Sequence, residues 1–129
     1  MVVDTSALCA VLFDEPDREQ LVRLMMTAGR PYVSAGTSLE CTIVLVRRHG
    51  AEGDARARAF FERLRFQIVP FDEPQAEIAK RGFQIYGKGR HPAGLNFGDC
   101  ISYALAKSLG EPLLFKGNDF RLTDVVPAL

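Results

Sequence analysis

Cysteine is scarce and poorly placed for chemistry: Cys9, Cys41 and Cys100 are the only three, at wide spacing, with no C-x-x-C pair and no histidine cluster beside them. That pattern does not complete a zinc site, and it leaves the thiols as small core fillers in a reducing cytosol. Net charge is missing as well, because 16 Lys and Arg balance 16 Asp and Glu. The chain therefore has no overall attraction for nucleic acid, and any anion must be held by a local patch. No apolar run approaches membrane-spanning length, and the N-terminus lacks the basic, apolar, small-residue order of a secretory leader. A soluble, cytoplasmic protein without membrane association is expected. Repeats, low-complexity tracts and linkers are absent too, so the 129 residues are expected to fold as one domain, 1–129, with a core of its own.

Hydrophobic residues at 47% and charged ones at 25% exclude a disordered or collagen-like chain. The run Val2, Val3, Asp4, Thr5, Ser6 reads as a short buried strand that ends on a carboxylate and two hydroxyls. Leu8, Val11 and Leu12 then recur at helical spacing behind Ser6, which is placed to cap them. A second helix is expected behind Asp14 or Glu15, with Pro16 in its first turn and Leu21, Leu24, Met25 and Ala28 on one face. Asp14, Glu15, Asp17 and Glu19 suit the positive end of its dipole. Pro31 to Ser34 is extended, and Thr37 to Glu40 opens a third helix. A fourth starts at Asp54, with Ala57, Phe60, Phe61 and Leu64 on one stripe and Arg56, Arg58, Arg63 and Arg65 on a solvated face. Gln67 to Val69 is a third strand. Asp72 and Pro74 begin a helix whose apolar face is Ala76, Ala79, Phe83 and Tyr86. Gly87 to Gly94 reads as a flexible cationic loop, Asn96 caps a helix from Phe97 to about Leu109, and Leu113 to Phe115 is a fourth strand. Val125 and Val126 are a candidate fifth. Short apolar strands alternating with longer helices predict a three-layer α/β/α domain around a parallel, twisted sheet of four or five strands.

Parallel strands place their exits, and the N-termini of the helices that follow, along one edge of the sheet, where ligands bind in open α/β folds. Four acids belong to that edge: Asp4 after the first strand, Glu40 and Asp99 each in the first turn of a helix, and Asp119 after the fourth strand. Each has a plain alternative. Asp4 precedes a Ser at a helix start, Glu40 stands three after Thr37 as in a capping box, Asp99 stands three after Asn96, and Asp119 can cap a turn. What independent caps do not explain is that all four share one edge. Crowded carboxylates repel, so a cluster of them persists most easily around a cation, and an all-oxygen set selects a hard ion such as Mg²⁺ or Mn²⁺.

The order V-V-D-T-S-A at residue 2, S-x-E near residue 40, L-N-F-G-D-C-I-S-Y-A-L-A around Asp99 and L-L-F-K-G-N-D-F around Asp119 resembles the PIN domain, and within it the VapC-type toxins of prokaryotic toxin–antitoxin pairs. The resemblance covers the whole chain. It implies a Mg²⁺- or Mn²⁺-dependent endoribonuclease with Asp4 and Asp99 as the central metal pair and Glu40 and Asp119 completing the quartet. It also matches the family's small hydroxyl residue to Thr5 and Ser6, on the substrate side. Similar proteins often carry an acid before the D-F pair, where this chain has Asn118, so Asp119 is the single carboxylate of its loop. A homodimer inhibited by a small VapB-type antitoxin is implied as well.

For RNA, the cations placed nearest the acids in sequence are Lys88, Arg90 and His91, with Arg47 and Arg48 as a second patch. Two other strand-end acid chemistries are excluded by neighbours. A haloacid-dehalogenase phosphatase needs a second Asp where Ser6 stands, and a response-regulator receiver wants adjacent acids at its first strand. The non-enzyme alternative is a catalytically inactive PIN-fold module that binds RNA or protein, against which the complete acid quartet speaks.

Overall fold

The computed structural model describes residues 1–129. In chain order the elements are β1 (Val2–Val3), α1 (Thr5–Leu12), α2 (Arg18–Thr27), β2 (Tyr32–Ser34), α3 (Ala35–His49), α4 (Glu52–Arg63), β3 (Gln67–Val69), α5 (Glu73–Tyr86), α6 (Phe97–Leu109) and β4 (Leu113–Leu114), followed by a 3₁₀ turn at Asp119–Leu122. The four strands form one sheet in the order β3-β2-β1-β4, and every neighbouring pair is parallel. A strand two residues long, Val2–Val3, is thus central, with both residues fully buried.

Strand alternation divides the core between the two faces of the sheet. Val3, Val33 and Leu114 point to one side, where α1 to α4 bring Leu8, Val11, Leu21, Met25, Cys41, Leu45 and Phe61. Val2 and Leu113 point to the other, where Ala79 of α5 and Tyr103, Ala104 and Leu105 of α6 close the second core. The expected three-layer α/β/α architecture is the one observed. All three cysteines are free, Cys41 and Cys100 buried and Cys9 half-buried. No helix is long and apolar enough to cross a membrane.

Several local expectations shift. Val125 and Val126 add no fifth strand. The segment makes one isolated bridge, Leu113 to Pro127, and Pro127 has no N–H with which to extend the ladder. Helix α1 is capped by Asp4 rather than Ser6, and α2 begins at Arg18, where Asp17 occupies the capping position without a side-chain bond. Helix α3 begins two residues before Thr37, because Ser34 accepts the Gly36 N–H and caps it first. Glu40 is therefore in the second turn and its capping box with Thr37 does not form. Thr37 is instead buried and shares a 3.1 Å hydrogen bond with Ser102 of α6.

On α5 the buried face is Gln75, Ala79 and Gly82, while Phe83 is 39% exposed. The cause is close approach: a Cβ at Gly82 would stand 2.7 Å from the Tyr103 ring, so the helix turns its glycine inward and its phenylalanine out. The arginines of α4 behave as solvated surface, Arg56 pairing with Glu52 at 3.6 Å and Arg58 with Asp54 at 2.9 Å.

Candidate active site

Asp4 leaves β1 with its N–H bonded to Leu114 O at 2.9 Å, which fixes it to the end of the β1–β4 ladder. Its extended backbone starts α1. One oxygen does the capping: Oδ2 accepts the Ser6 N–H at 2.8 Å and the Ser6 hydroxyl at 2.6 Å. The other oxygen, Oδ1, is buried with no hydrogen-bond partner, on a residue only 2% exposed. A lone pair withdrawn from water without a donor is costly, and such a group calls for a function or a ligand. Helix capping and site acid were competing readings of Asp4; capping occupies Oδ2 alone, which leaves Oδ1 free for another partner.

Glu40 reaches the same region from α3. Its Oε2 accepts the Thr5 hydroxyl at 2.6 Å, and its carboxylate lies against the first turn of α6. A Cβ at Gly98 would stand 2.6 and 2.7 Å from the two Glu40 oxygens, so any larger residue there would displace the Glu40 carboxylate from this place. One residue further, Asp99 completes the predicted capping box, with the Asn96 N–H donating to Asp99 Oδ2 at 2.8 Å and the Asp99 N–H to Asn96 Oδ1 at 3.0 Å. Burial pushes the Asp99 carboxyl up to about 6, and the negative charges of Asp4, Asp119 and Glu40 add to the rise, while the Asn96 bond opposes it. The three charges that Asp99 senses are the other three members of the expected quartet. Asp119, exposed, opens the 3₁₀ turn after β4.

The hydroxyls expected on the substrate side each donate to one of the acids, Thr5 to Glu40 and Ser6 to Asp4. The loop after α5 is closed rather than loose: Lys88 N–H donates to Leu95 O and Leu95 N–H to Tyr86 O, both at 3.0 Å. That bridge holds the backbone of the exposed Lys88 against Leu95, one residue before the Asn96 cap of α6, and Arg90, also exposed, lies in the turn closed on Gly87 O. His91 shapes the loop, its Nδ1 accepting the Ala93 N–H at 3.1 Å and its ring standing edge-on to Tyr86. Arg47 and Arg48 lie in the last turn of α3, about 11 Å along the helix axis from Glu40, and the Arg48 guanidinium covers the Phe13 ring at 4.3 Å. They belong to the other end of that helix, away from the acids. Two features escaped the sequence: Gly98, whose role is visible only once α3 and α6 are packed, and Lys116, whose partners Glu15 and Asp17 are 101 and 99 residues distant.

A parallel α/β/α sheet with Asp4 at the exit of its central strand, and with Glu40, Asp99 and Asp119 near enough for their charges to act on one another, is the arrangement of an α/β domain with an acidic carboxyl edge. The chain belongs to the PIN domain family, whose model matches residues 1–126, and within it to the VapC type. A ribonuclease VapC of Mycolicibacterium smegmatis is 49% identical over 125 residues, which cover 97% of each chain. Among solved structures, Mycobacterium tuberculosis VapC20, described as a toxin cleaving the sarcin–ricin loop, superposes with a TM-score of 0.75 at 20% identity, covering 97% of this chain and 95% of the other. A toxin–antitoxin complex from Klebsiella pneumoniae gives 0.72 at 20% identity, covering 99% and 97%. At that identity the two structures speak for the fold.

VapC nucleases of the PIN family depend in general on a divalent metal ion. The donor set here suits one, being all oxygen with one buried carboxylate oxygen unpartnered. It is an open set: no three His, Cys, Asp or Glu side chains converge closely enough to enclose an ion. Thr5 and Asn96 hold Glu40 and Asp99 in their own hydrogen bonds, and a hard ion that keeps several of its waters can be held by one or two carboxylates directly and by the rest through water.

Proposed function

We propose that this protein is the endoribonuclease toxin of a VapBC-type pair, with its site formed by Asp4, Glu40, Asp99 and Asp119 in a PIN domain spanning 1–129. The observation that carries the assignment is the buried, unpartnered Oδ1 of Asp4, near an Asp99 carboxyl raised first by burial and further by the charges of Asp4, Asp119 and Glu40. Asp4 and Asp99 would hold Mg²⁺, or Mn²⁺ in its place, with Glu40 and Asp119 as outer ligands. When bound, such an ion supplies a water acidic enough to attack a phosphodiester and a counter-charge for the phosphoryl oxygens.

The chain's own residues do the remainder. Ser6 and Thr5 orient Asp4 and Glu40, and the fixed backbone of the α6 first turn keeps Asp99 in place. Lys88 and Arg90 grip phosphates flanking the scissile one, which offsets the repulsion between an acidic site and a polyanion. Hydrolysis of this kind leaves a 5′-phosphate and a 3′-hydroxyl.

A cognate VapB-type antitoxin is the expected inhibitor, supported by the toxin–antitoxin complex among the structural neighbours. A homodimer is the expected assembly, and the outward stripe Leu39, Ile43 and Val46 on α3, exposed by 61, 42 and 40%, is a surface that a protein partner would cover.

The test is cleavage of RNA by antitoxin-free protein with Mg²⁺, with Mn²⁺ or with a chelator. Cleavage should require the ion and vanish in Asp4→Asn and Asp99→Asn. Wild-type rates in the chelator would overturn the assignment.

A further inference from the structure

We propose that Lys116 is a positioning residue for the fourth carboxylate: main chain and ammonium together fix the loop that delivers Asp119 to the site. The inference rests on the reading of Asp119 as a member of the acid set. Residue 116 is held twice. Its N–H donates to Ser6 Oγ at 3.0 Å, and that same hydroxyl donates to Asp4 Oδ2 at 2.6 Å, so a single oxygen ties the β4 exit to the first acid. Its ammonium crosses to the turn between α1 and α2, where it pairs with Glu15 and, at 3.0 Å, with Asp17.

The next residues explain why two holds are needed. Gly117 has φ +102° with nothing within 4 Å of where a Cβ would be, a conformation and a clearance that leave the chain free to pivot. Beyond Asp119, the buried Phe120 packs on Phe115 with ring centroids 5.1 Å apart and anchors the far side of the turn. Asp119 is therefore bracketed, with Phe120 in the core behind it and Lys116 clamped ahead of the glycine. Because all three charged side chains are 34 to 39% exposed, the ion pairs add little to global stability. Their effect is local, on where one loop rests.

The experiment compares Lys116→Met, Lys116→Arg and the paired change Glu15→Gln with Asp17→Asn, reading Mn²⁺ affinity by calorimetry, kcat and KM on RNA, and amide exchange of residues 116–119. A clamp predicts that Lys116→Met and the Glu15/Asp17 variant each weaken Mn²⁺ binding about tenfold, the size of effect seen when a ligand's supporting partner is lost. Each should lower kcat by a similar factor with KM unchanged, and combining them should bring no further loss. Lys116→Arg should restore both. A loss confined to Lys116→Met, with KM raised and the Glu15/Asp17 variant at wild-type level, would instead make the ammonium a phosphate contact and overturn the proposal. So would unchanged Mn²⁺ affinity and kcat in both variants. Amide exchange separates this from failure of the metal reading: should the wild type bind no Mn²⁺ at all, protection of the Lys116 amide, which donates to Ser6 Oγ, must still fall in both variants, and unchanged protection refutes the clamp.

Discussion

Replacing Asp99 with asparagine isolates the free energy of holding a charged carboxylate there, which burial raises first and the neighbouring acids raise further. The folded carboxyl titrates at about 6 against an ordinary value of 3.8, so the folded chain binds this proton more tightly than the unfolded chain does. Linkage then fixes the sign: the group's contribution is fully present below about 3.8 and is lost as pH rises through about 6. A gap of roughly two pH units corresponds to an upper bound of about 3 kcal/mol, at about 1.4 kcal/mol per unit. Half-burial of the side chain places the working expectation at about 1–3 kcal/mol. Asparagine keeps an oxygen to accept the Asn96 N–H, so the capping box survives and the charge alone is removed.

Urea unfolding in a chelator should thus find Asp99→Asn equal to wild type at about pH 4 and more stable by that amount at about pH 8, with the slope m unchanged. Adding Mg²⁺ at the higher pH should stabilise the wild type and narrow the gap. A variant equally destabilised at both pH values would refute the reasoning, since Asp99 would then be acting as a cap only.

Gly98→Ala should move the Glu40 carboxylate from its place, because the new Cβ would meet both of its oxygens within 2.7 Å; calorimetry should find weaker Mn²⁺ binding, with unfolding stability little changed because the end of a flexible side chain can swing aside. Neutralising Lys88 and Arg90 together should weaken binding to every RNA without moving the cut. The plot of log affinity against log salt should flatten by about 1.5 units if each cation meets one phosphate, and an unchanged slope would mean that RNA is gripped elsewhere.

The strand ends and the cap of α6 were legible because their signals are local. Val2 and Val3 before Asp4, the leucine pair at 113–114, and Asn96 three residues ahead of Asp99 carry their meaning within a few positions. Expectation failed where two local signals competed or where packing decided. Thr37 and Glu40 satisfy a capping box on paper, yet Ser34 intercepts the helix start and the real partner of Glu40 is Thr5, 35 residues earlier. The face of α5 was misassigned because a phenylalanine outranks a glycine on any apolar scale, whereas the gap beside Tyr103 admits only the glycine. The loop from Gly87 to Gly94, rich in glycine, read as flexible until the Leu95 bridge closed it. Lys116 left no trace in sequence, since an ion pair across a hundred residues has no period.

The central position of β1 also sets a schedule. It pairs with β2 at residue 32 and with β4 at residues 113 and 114, so the first strand made is enclosed only when the last is available. Asp4 leaves the ribosome about a hundred residues ahead of Asp99, β4 and Asp119, and such long-range parallel pairings form slowly. A nascent or truncated chain carries no assembled site. A chain cut short before β4 would therefore leave β1 with one open edge and Asp4 without the Leu114 carbonyl that fixes it.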